Sequence, residues 1–289
     1  MDEAGLSVVL PAKNEAAVVG EVVARIRAVV PDAEVLVIDD GSSDGTGEVA
    51  AAAGAVVVRN PVSMGNGAAV KAGARAAKGR TIVFMDADGQ HDPADIPRLL
   101  AVLDDGFDMV VGARSADSQA SVGRGLANRL YNRLASYMTG RQVADLTSGF
   151  RAVRATRFRE FLYLLPNGFS YPTTSTMAFF RAGYPVTYVP IQAGKRVGKS
   201  HIHVLRDGAR FLLIIFRIGT LYSPLKLFVP VVAVQAALGL AYYAYTFLSS
   251  GRLSLATIFL LTSAVTTFLI GLVSEQLTQI TYRGTGQER

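Results

Sequence analysis

The sequence predicts an α/β protein in which a mostly parallel β-sheet carries helices on both faces and is followed by an interfacial helix and a two-helix transmembrane hairpin. Two observations predict this fold class. Up to about residue 85, short apolar runs of strand length alternate with amphipathic segments of helix length, as in βαβ units. Towards the C-terminus, two long stretches contain no charged residue.

Each element of the sheet follows from its local pattern. Strands are predicted at 6–10, 34–38, 55–58 and 81–85, and helices at 16–30, from about 46, and at 68–77. Sequential strands joined by helices imply parallel pairing. The turn Gly65-Asn66-Gly67 has part of the glycine spacing of a dinucleotide-binding fingerprint, but the rest is missing, so we interpret it as the start of a helix.

The stretch 82–93, IVFMDADGQHDP, is the strongest candidate for a functional site. The run from Thr81 to Met85 predicts a buried strand, and its carboxyl end is the edge where open α/β sheets bind ligands. The oxygen-bearing side chains that follow are Asp86, Asp88 and Gln90. Two carboxylates and an amide suit Mg²⁺ or Mn²⁺, which complete their coordination with water and phosphate oxygens. The stretch therefore predicts a site for a metal-bound diphosphate.

An acidic turn is the alternative interpretation of the same stretch. Asp92 and Pro93 are an ordinary start for a helix near Ala94, because aspartate caps a helix and proline suits its first turn. We interpret His91 as a loop residue, since the three histidines of the chain are too scattered for a zinc site.

Polar clusters also follow the first and second predicted strands, at 11–15 and 39–46. Because parallel strands end at one edge of a sheet, these clusters and the acidic stretch together predict a nucleotide-binding crevice.

The two uncharged stretches are predicted to span a membrane. Leu227 to Leu248 and Leu253 to Val273 are each long enough to cross roughly 30 Å of hydrocarbon. The short connection 249–252 forces a tight hairpin, so both flanking segments lie on one side. Basic residues are concentrated on that side, which by the positive-inside rule predicts a cytoplasmic domain. A buried helical hairpin of a soluble protein is the alternative.

The chain accordingly divides into four predicted segments. They are a cytoplasmic domain (1–202), an amphipathic juxtamembrane helix (203–222), two transmembrane helices (223–276) and a cytoplasmic tail (277–289). The juxtamembrane helix carries Arg206, Arg210 and Arg217 within a narrow arc, which suits lipid headgroups. The start of the chain lacks a signal-peptide pattern, so nothing targets the domain for export. We expect an integral protein of the plasma or inner membrane.

The net charge and the cysteine content restrict the kinds of partner and metal site that the protein can have. The net charge of +6 and the pI near 9.6 suit nucleic acid or anionic surfaces. With two membrane spans attached, a membrane and anionic substrates explain this charge, and we expect no nucleic-acid partner. The chain has no cysteine, which excludes disulfides and thiolate metal sites.

The chain contains, in order, the motifs VVLPAKNEA, VLVIDDGSSDGT, MGNGAAVKAGARAAKG, IVFMDADGQHDP, MVVGAR and DLTSGFRAVR. This set resembles the family 2 glycosyltransferases with the GT-A fold, which is Rossmann-like. Within that family it resembles the dolichol-phosphate mannose synthase type, which glycosylates polyprenyl phosphates. The resemblance covers about residues 6–205.

The resemblance implies roles for individual residues. Those implied to hold the base and ribose are Pro11, Glu15, Ile38 and Asp40. Those implied to hold the metal and diphosphate are Asp86, Ala87, Asp88 and Gln90. Arg114 is implied to face the sugar diphosphate, and Arg196 with Ser200 to belong to a loop that closes on it.

Two departures from the family pattern affect these roles. Lys13 stands where the family usually has an aromatic residue, so stacking under the base is lost or replaced at this nucleotide-binding position. The closing loop usually ends in Ser-Lys but reads Gly-Lys-Ser-His here, so either Lys199 or His201 supplies its cation.

The residues also suit the chemistry of sugar transfer. Negative charge develops on the departing diphosphate, which a divalent metal and arginines stabilise, so Asp88 and Arg114 are candidate catalytic residues. A phosphate-monoester acceptor, with a second pKa of about 6, is mostly dianionic at neutral pH and needs no general base. Asp145 is the candidate base for a hydroxyl acceptor. The alternative is a structural Asp145 that caps or pairs with Arg151.

Arginines recur between residues 114 and 154, and Arg124 and Arg129 are the leading candidates for binding the lipid phosphate, because guanidinium groups bind phosphate through two N–H groups. A solvated basic helix face is the alternative interpretation of these residues.

We therefore expect an inverting, Mg²⁺- or Mn²⁺-dependent transferase that moves one hexose from a UDP- or GDP-sugar to a polyprenyl phosphate of the dolichyl or undecaprenyl type. Inversion is implied by the resemblance. Expected partners are the nucleotide sugar, the lipid acceptor and the membrane, and the sequence is compatible with a homo-oligomer.

One alternative function is that of a processive polysaccharide synthase, although the Gln-x-x-Arg-Trp helix usual in those enzymes is absent. Another is a non-catalytic membrane scaffold that binds nucleotide sugar.

Overall fold

The computed structural model of the protein describes residues 5–114, 122–168, 171–192, 194, 219–220 and 222–283, and the side chains of 122–128 and 281–283 lie outside this description. The chain divides into two compact units, residues 1–202 and 203–289. Almost all of the predicted juxtamembrane helix lies outside the described residues.

Seven strands of the first unit form one mixed sheet. They are β1 (Leu6–Ala12), β2 (Glu34–Asp39), β3 (Val56–Arg59), β4 (Thr81–Phe84), β5 (Met109–Arg114), β6 (Arg151–Arg154) and β7 (Val186–Ile191). Their order across the sheet is β3-β2-β1-β4-β6-β5-β7. The first four strands pair in parallel, and β6 runs antiparallel between β4 and β5. The predicted α/β class with a mostly parallel sheet is confirmed.

Helices connect these strands. They are α1 (Val19–Val29), α2 (Thr46–Ala52), α3 (Asn66–Ala76), a 3₁₀ turn (Pro93–Asp95) that leads into α4 (Ile96–Asp104), α5 (Val122–Thr139), α6 (Ala155–Arg159) and α7 (Tyr171–Ala182). Asn66 begins α3, which confirms the interpretation of the glycine pair as a helix start. The Asp92 side chain accepts a hydrogen bond from the Ala94 N–H at 3.0 Å, so its predicted capping role is also confirmed.

Helices cover both faces of the sheet because neighbouring residues of each strand face opposite sides. Val8 and Leu10 of β1 are buried in one cluster with Val23 and other residues of α1 and α4. Val9 faces the opposite side and meets α3, where a Cβ on Gly73 would lie 2.3 Å from Val9 Cγ1. With both faces packed, the strand ends at the edge of the sheet are left to build a site.

The second unit contains the predicted hairpin, formed by α8 (Pro224–Ser250) and α9 (Leu255–Arg283). The most apolar windows of these helices have mean hydropathies of 1.8 and 2.1, so both are long and apolar enough to cross a membrane. Gly251 ends α8 in a left-handed conformation with φ of +64°. Inside the hairpin, Gln235 Nε2 donates a hydrogen bond to Ser263 Oγ at 3.4 Å.

Candidate active site

The polar clusters that follow β1, β2 and β4 lie at one edge of the sheet, as predicted. In the parallel register, Ala12 of β1 is paired with Asp39 of β2. The backbone N–H of Met85, directly after β4, donates to the Val9 carbonyl of β1 at 3.1 Å. The carboxyl ends of three neighbouring strands therefore place their acidic residues around one crevice.

Asp40, directly after β2, holds the loop 60–65. It is 3% exposed. Its carboxylate accepts four hydrogen bonds of 2.8 Å, from Asn60 Nδ2, Ser63 Oγ, Met64 N and Gly65 N. Burial acts to raise the pKa of Asp40, but these hydrogen bonds outweigh it and lower that pKa below its ordinary value. A carboxylate accepts about four hydrogen bonds, so this one is fully used within the protein.

Hydrogen bonds join the loop after β1 to the loops after β2 and β3. Lys13 Nζ donates to Ser63 Oγ at 2.9 Å, which joins it to the Asp40 network. The Glu15 N–H donates to Thr46 Oγ1 at 2.9 Å. Asn14 adopts a left-handed conformation with φ of +56°, and its side-chain oxygen accepts from the Ser43 N–H. Lys13, Glu15 and Asp40 therefore belong to three interlocked loops, which follow β1, β2 and β3.

Two residues implied to contact the nucleotide sugar are buried. Ile38 is within β2, where it pairs with Pro11 of β1, and Ala87 lies between the two aspartates of the acidic stretch. Their side chains present almost no exposed surface, whereas that of Pro11 is partly exposed.

The acidic stretch places its oxygen atoms in the crevice. The Asp86 side chain is 34% exposed and accepts no hydrogen bond from any residue that the structure describes. Asp88 Oδ1 accepts a hydrogen bond from the Gln90 N–H at 3.1 Å. The Gln90 backbone carbonyl accepts from the Gly194 N–H at 2.7 Å, which ties this stretch to the segment after β7.

Gly149 packs directly against the Asp86 carboxylate. A Cβ at this position would lie 2.9 Å from Asp86 Oδ2 and 3.1 Å from Oδ1. The enclosure raises the pKa of Asp86, and the negative charge of Asp88 adds to this shift, although His91, Arg114 and Arg151 act in the opposite direction.

This arrangement fits a divalent cation. No cluster of three or more His, Cys, Asp or Glu side chains suited to a metal occurs among the described residues. The donor set is instead two carboxylates and one amide, Asp86, Asp88 and Gln90, which suits a hard cation that also binds substrate phosphate. A cation would bind directly to the Asp86 carboxylate, which accepts no hydrogen bond from the described residues.

Arg114, at the end of β5, and Asp145 form an ion pair beside this cluster. Arg114 Nε donates to Asp145 Oδ2 at 2.8 Å and Nη2 donates to Oδ1 at 3.0 Å. Nη2 also donates to Thr147 Oγ1 at 2.6 Å. Burial acts to raise the pKa of Asp145, but the Arg114 hydrogen bonds and charge lower it. Of the structural alternative for Asp145, the pairing with Arg151 is not observed, because Arg114 occupies the carboxylate. The capping role is observed, since Oδ1 accepts hydrogen bonds from the Thr147 and Ser148 N–H groups at 3.0 and 3.1 Å.

Arg151, in β6, is fully buried. Its Nη1 donates to the Pro172 carbonyl at 2.9 Å and to Ser175 Oγ at 2.7 Å, and its Nη2 donates to the Ser148 carbonyl. Burial lowers the pKa of Arg151, while Tyr171 acts in the opposite direction. Arg151 is therefore not part of a solvated basic face.

The predicted acceptor residues are only partly described. Arg129 is exposed on α5, and the side chain of Arg124 lies outside the described residues. The closing-loop residues Arg196, Lys199, Ser200 and His201 lie outside them as well.

Sequence reasoning missed three features of the site. Gly149 and Thr147 belong to the motif DLTSGFRAVR, but nothing local indicates that they contact Asp86 and Arg114. His91 lies in a loop, as predicted, yet it is 5% exposed and its ring packs against Phe150. The sequence signal for a role of His91 in the site is its position directly after Asp86, Asp88 and Gln90.

Comparison with known proteins agrees with this geometry. Residues 7–162 match the family model "Glycosyl transferase family 2". Residues 223–280 match "GtrB C-terminal hairpin". The chain belongs to the family 2 glycosyltransferases, and it is a glycosyltransferase with a C-terminal membrane-type hairpin.

Several relatives are similar over most of their length. Glycosyltransferase AglJ of Haloferax volcanii is 32% identical over 82% of this chain and 80% of its own. A dolichyl-phosphate hexose transferase of the same organism is 31% identical over 71% of this chain and 89% of its own. An undecaprenyl-phosphate mannosyltransferase of Micrococcus luteus is 31% identical over 69% and 92%. These relatives include sugar transferases that use polyprenyl phosphates.

A solved structure shares the fold. Glucosyl-3-phosphoglycerate synthase from Mycobacterium tuberculosis, in complex with Mn²⁺, uridine diphosphate and phosphoglyceric acid, aligns with a TM-score of 0.61 at 26% identity and covers 75% of this chain and 78% of its own. The predicted GT-A class is confirmed.

Proposed function

We propose that this glycosyltransferase transfers a single hexose from a UDP- or GDP-sugar to a polyprenyl phosphate, with inversion at the anomeric carbon and with Mg²⁺ or Mn²⁺. The observation that carries the proposal is the partly exposed Asp86 carboxylate, which has no hydrogen-bond donor among the described residues and lies beside Asp88 and Gln90. The membrane-type hairpin in the same chain favours a lipid acceptor.

Asp86, Asp88 and Gln90 would hold the cation. When bound, a divalent cation neutralises the charge that develops on the departing diphosphate. The presence of Mn²⁺ with uridine diphosphate in the structurally similar synthase supports this assignment.

Arg114 is proposed to stabilise the same developing charge. Asp145 and Thr147 engage its Nε and Nη2. Its Nη1 has no hydrogen-bond partner within the part of the chain that the structure describes, and 29% of its side chain is exposed. A guanidinium held on one edge presents its free edge without reorganisation, which is the requirement for electrostatic stabilisation of a transition state.

The proposed reaction needs no general base. An oxygen of the dianionic acceptor phosphate forms the new bond to the anomeric carbon, and the bond to the diphosphate oxygen breaks with its electron pair leaving on the nucleoside diphosphate. Asp145 then acts by orienting Arg114, because its carboxylate is already occupied by Arg114, Thr147 and Ser148. Asp88 acts through the cation.

The acceptor is proposed to bind beside α5, where Arg124 and Arg129 would contact its phosphate. The names of the Haloferax volcanii and Micrococcus luteus relatives support a dolichyl or undecaprenyl carrier. Pro11, Lys13, Glu15 and Asp40, with Arg196 and Ser200, remain the proposed contacts and supports of the nucleotide.

The catalytic unit is proposed to be cytoplasmic. Because the chain has no cysteine, single cysteines report topology directly. In intact cells, a membrane-impermeant maleimide is expected to label Ser250→Cys at the end of α8, next to the hairpin turn, but not Asp32→Cys on the exposed surface of the first unit. Labelling of Asp32→Cys but not of Ser250→Cys would place the catalytic unit on the outer side of the membrane and would contradict the proposal.

A transfer assay tests the proposal. Purified protein in detergent is incubated with undecaprenyl phosphate, Mn²⁺ or Mg²⁺, and labelled UDP-glucose, UDP-galactose, UDP-GlcNAc or GDP-mannose in separate tubes. Label in the organic phase from one donor, lost with a chelator and in Asp88→Asn, is the expected result. Undiminished transfer by Asp88→Asn would contradict the assigned site.

A further inference from the structure

His91 is an enclosed polar residue that the proposed reaction does not use. It follows Gln90 in the chain, and its ring centroid lies 5.2 Å from that of Phe150. Its Nδ1 is buried without a hydrogen-bond partner among the described residues. Buried polar atoms are rarely left in this state, because nothing replaces their lost hydration. The nitrogen therefore indicates a contact that forms in another state of the site.

Asp86 is the group within reach of this nitrogen. Its Oδ2 lies 4.0 Å from His91 Nδ1, which is too long for a hydrogen bond by roughly 1 Å. The described residues donate no hydrogen bond to the Asp86 carboxylate, so a shift towards His91 would break none of theirs. Gly149 packs against the carboxylate and would meet Oδ2 at 2.9 Å if it carried a Cβ.

We propose that His91 is a positioning residue for the metal site: once the cation binds, Nδ1 donates a hydrogen bond to Asp86 Oδ2 and fixes the orientation in which the carboxylate binds the cation. This inference rests on the proposed function. Metal-binding carboxylates are commonly held by such outer hydrogen bonds, and their loss typically weakens metal binding about 10- to 100-fold. The Phe150 ring keeps the imidazole in place for this contact.

Matched substitutions at residue 91 test the position of the donor nitrogen. His91→Asn places an amide nitrogen close to the Nδ1 position, whereas His91→Gln places it closer to the Nε2 position. His91→Phe keeps a ring against Phe150 but has no donor. Binding is measured with Mn²⁺ alone, from the electron paramagnetic resonance signal of free Mn²⁺ in titrations of the purified full chain.

The expected result is that Mn²⁺ binds about tenfold more weakly or worse to His91→Gln and His91→Phe, and within about threefold of wild type to His91→Asn. Wild-type affinity in His91→Gln, or equal weakening in Asn and Gln variants, would overturn the inference. Thermal melting without metal checks folding, and the Asn and Gln pair decides the question if the Phe variant does not fold.

The two proposals fail in different ways. A wild-type chain that binds no Mn²⁺ and transfers no sugar contradicts the proposed function. A wild-type chain that binds Mn²⁺ and transfers sugar, with unchanged Mn²⁺ affinity in His91→Gln, contradicts only the role of His91.

Discussion

Arg114 and Asp145 lie 31 residues apart in the chain and form a two-point ion pair, with Nε to Oδ2 at 2.8 Å and Nη2 to Oδ1 at 3.0 Å. Backbone N–H groups of Thr147 and Ser148 donate to the same carboxylate at 3.0 and 3.1 Å. Two parallel hydrogen bonds fix the plane of a guanidinium as well as its position. The pair therefore fixes the orientation of the Arg114 guanidinium, whose charge also acts on Asp86.

Arg114→Lys is expected to lower kcat/KM on the order of 100-fold, because a lysine keeps the charge but loses the planar, two-point geometry. Asp145→Asn is expected to act through the same guanidinium. The double variant should therefore lose little more than the more damaging single variant, which is a non-additive result. Additive losses would show that Asp145 acts independently, as a general base would. The measurement is initial-rate transfer for the four proteins.

Asp145 is also expected to link stability to pH. Its pKa in the folded protein lies below its ordinary value of 3.8, so the charged form stabilises the fold. This contribution is complete above the unfolded pKa and is lost as the pH falls through the folded pKa. The difference in Tm between wild type and Asp145→Asn should be constant from about pH 8 to about pH 5 and should narrow below pH 3.8.

At neutral pH the loss in Asp145→Asn should be roughly 3 kcal/mol in the free energy of unfolding, at the lower end for buried pairs because Arg114 keeps partial exposure. Asp104→Asn is the control, since its pair with Arg154 at 3.1 Å is on the surface. An Asp104 variant as damaging as the Asp145 variant would contradict this account.

Gly149→Ala is expected to reduce activity at least tenfold while the protein stays folded, because its Cβ would press on both Asp86 oxygens, at 2.9 and 3.1 Å, and displace the proposed metal ligand. Gly168→Ala is the matched control, since none of the described residues beyond its chain neighbours has an atom within 4 Å of a Cβ there. Transfer rates measure the activity of the two variants, and melting curves show whether each is folded. Equal activity in both would show that the Asp86 position tolerates displacement.

Asp40→Asn is expected to weaken donor binding by loosening the loop 60–65. The amide replaces one acceptor oxygen with a donor, so two of the four hydrogen bonds are lost, at a cost of about 1–3 kcal/mol in stability. KM should rise for every nucleotide sugar that the enzyme uses. A change in preference between UDP- and GDP-sugars would instead show that Asp40 contacts the base directly. Steady-state KM values for both donor types separate these outcomes.

The sheet and the acidic cluster are predictable because each depends on short stretches of sequence. Apolar runs define β1, β2 and β4, and the aspartates follow them within a few residues. The same reasoning places Asn66 at the start of α3. Short local patterns of this kind are enough to predict the positions of strands and helix starts.

The Arg114 pair is not predictable in this way. It depends on β6 entering the sheet antiparallel between β4 and β5, through a strand of only four residues. That pairing brings residues 145–149 beside the end of β5 and draws Arg151 into the interior. Contacts of this kind arise from the tertiary arrangement, so the sequence alone offers several partners for Asp145.

The central claim is that one hexose is moved onto a lipid phosphate, and the mass of the product tests it most directly. The purified enzyme is incubated with undecaprenyl phosphate and the active donor, and the lipid and nucleotide products are measured by mass spectrometry. The account predicts a lipid heavier by one hexose residue, together with an equal amount of nucleoside diphosphate. A lipid carrying several sugars, or release of nucleoside monophosphate with an added sugar phosphate, would contradict it.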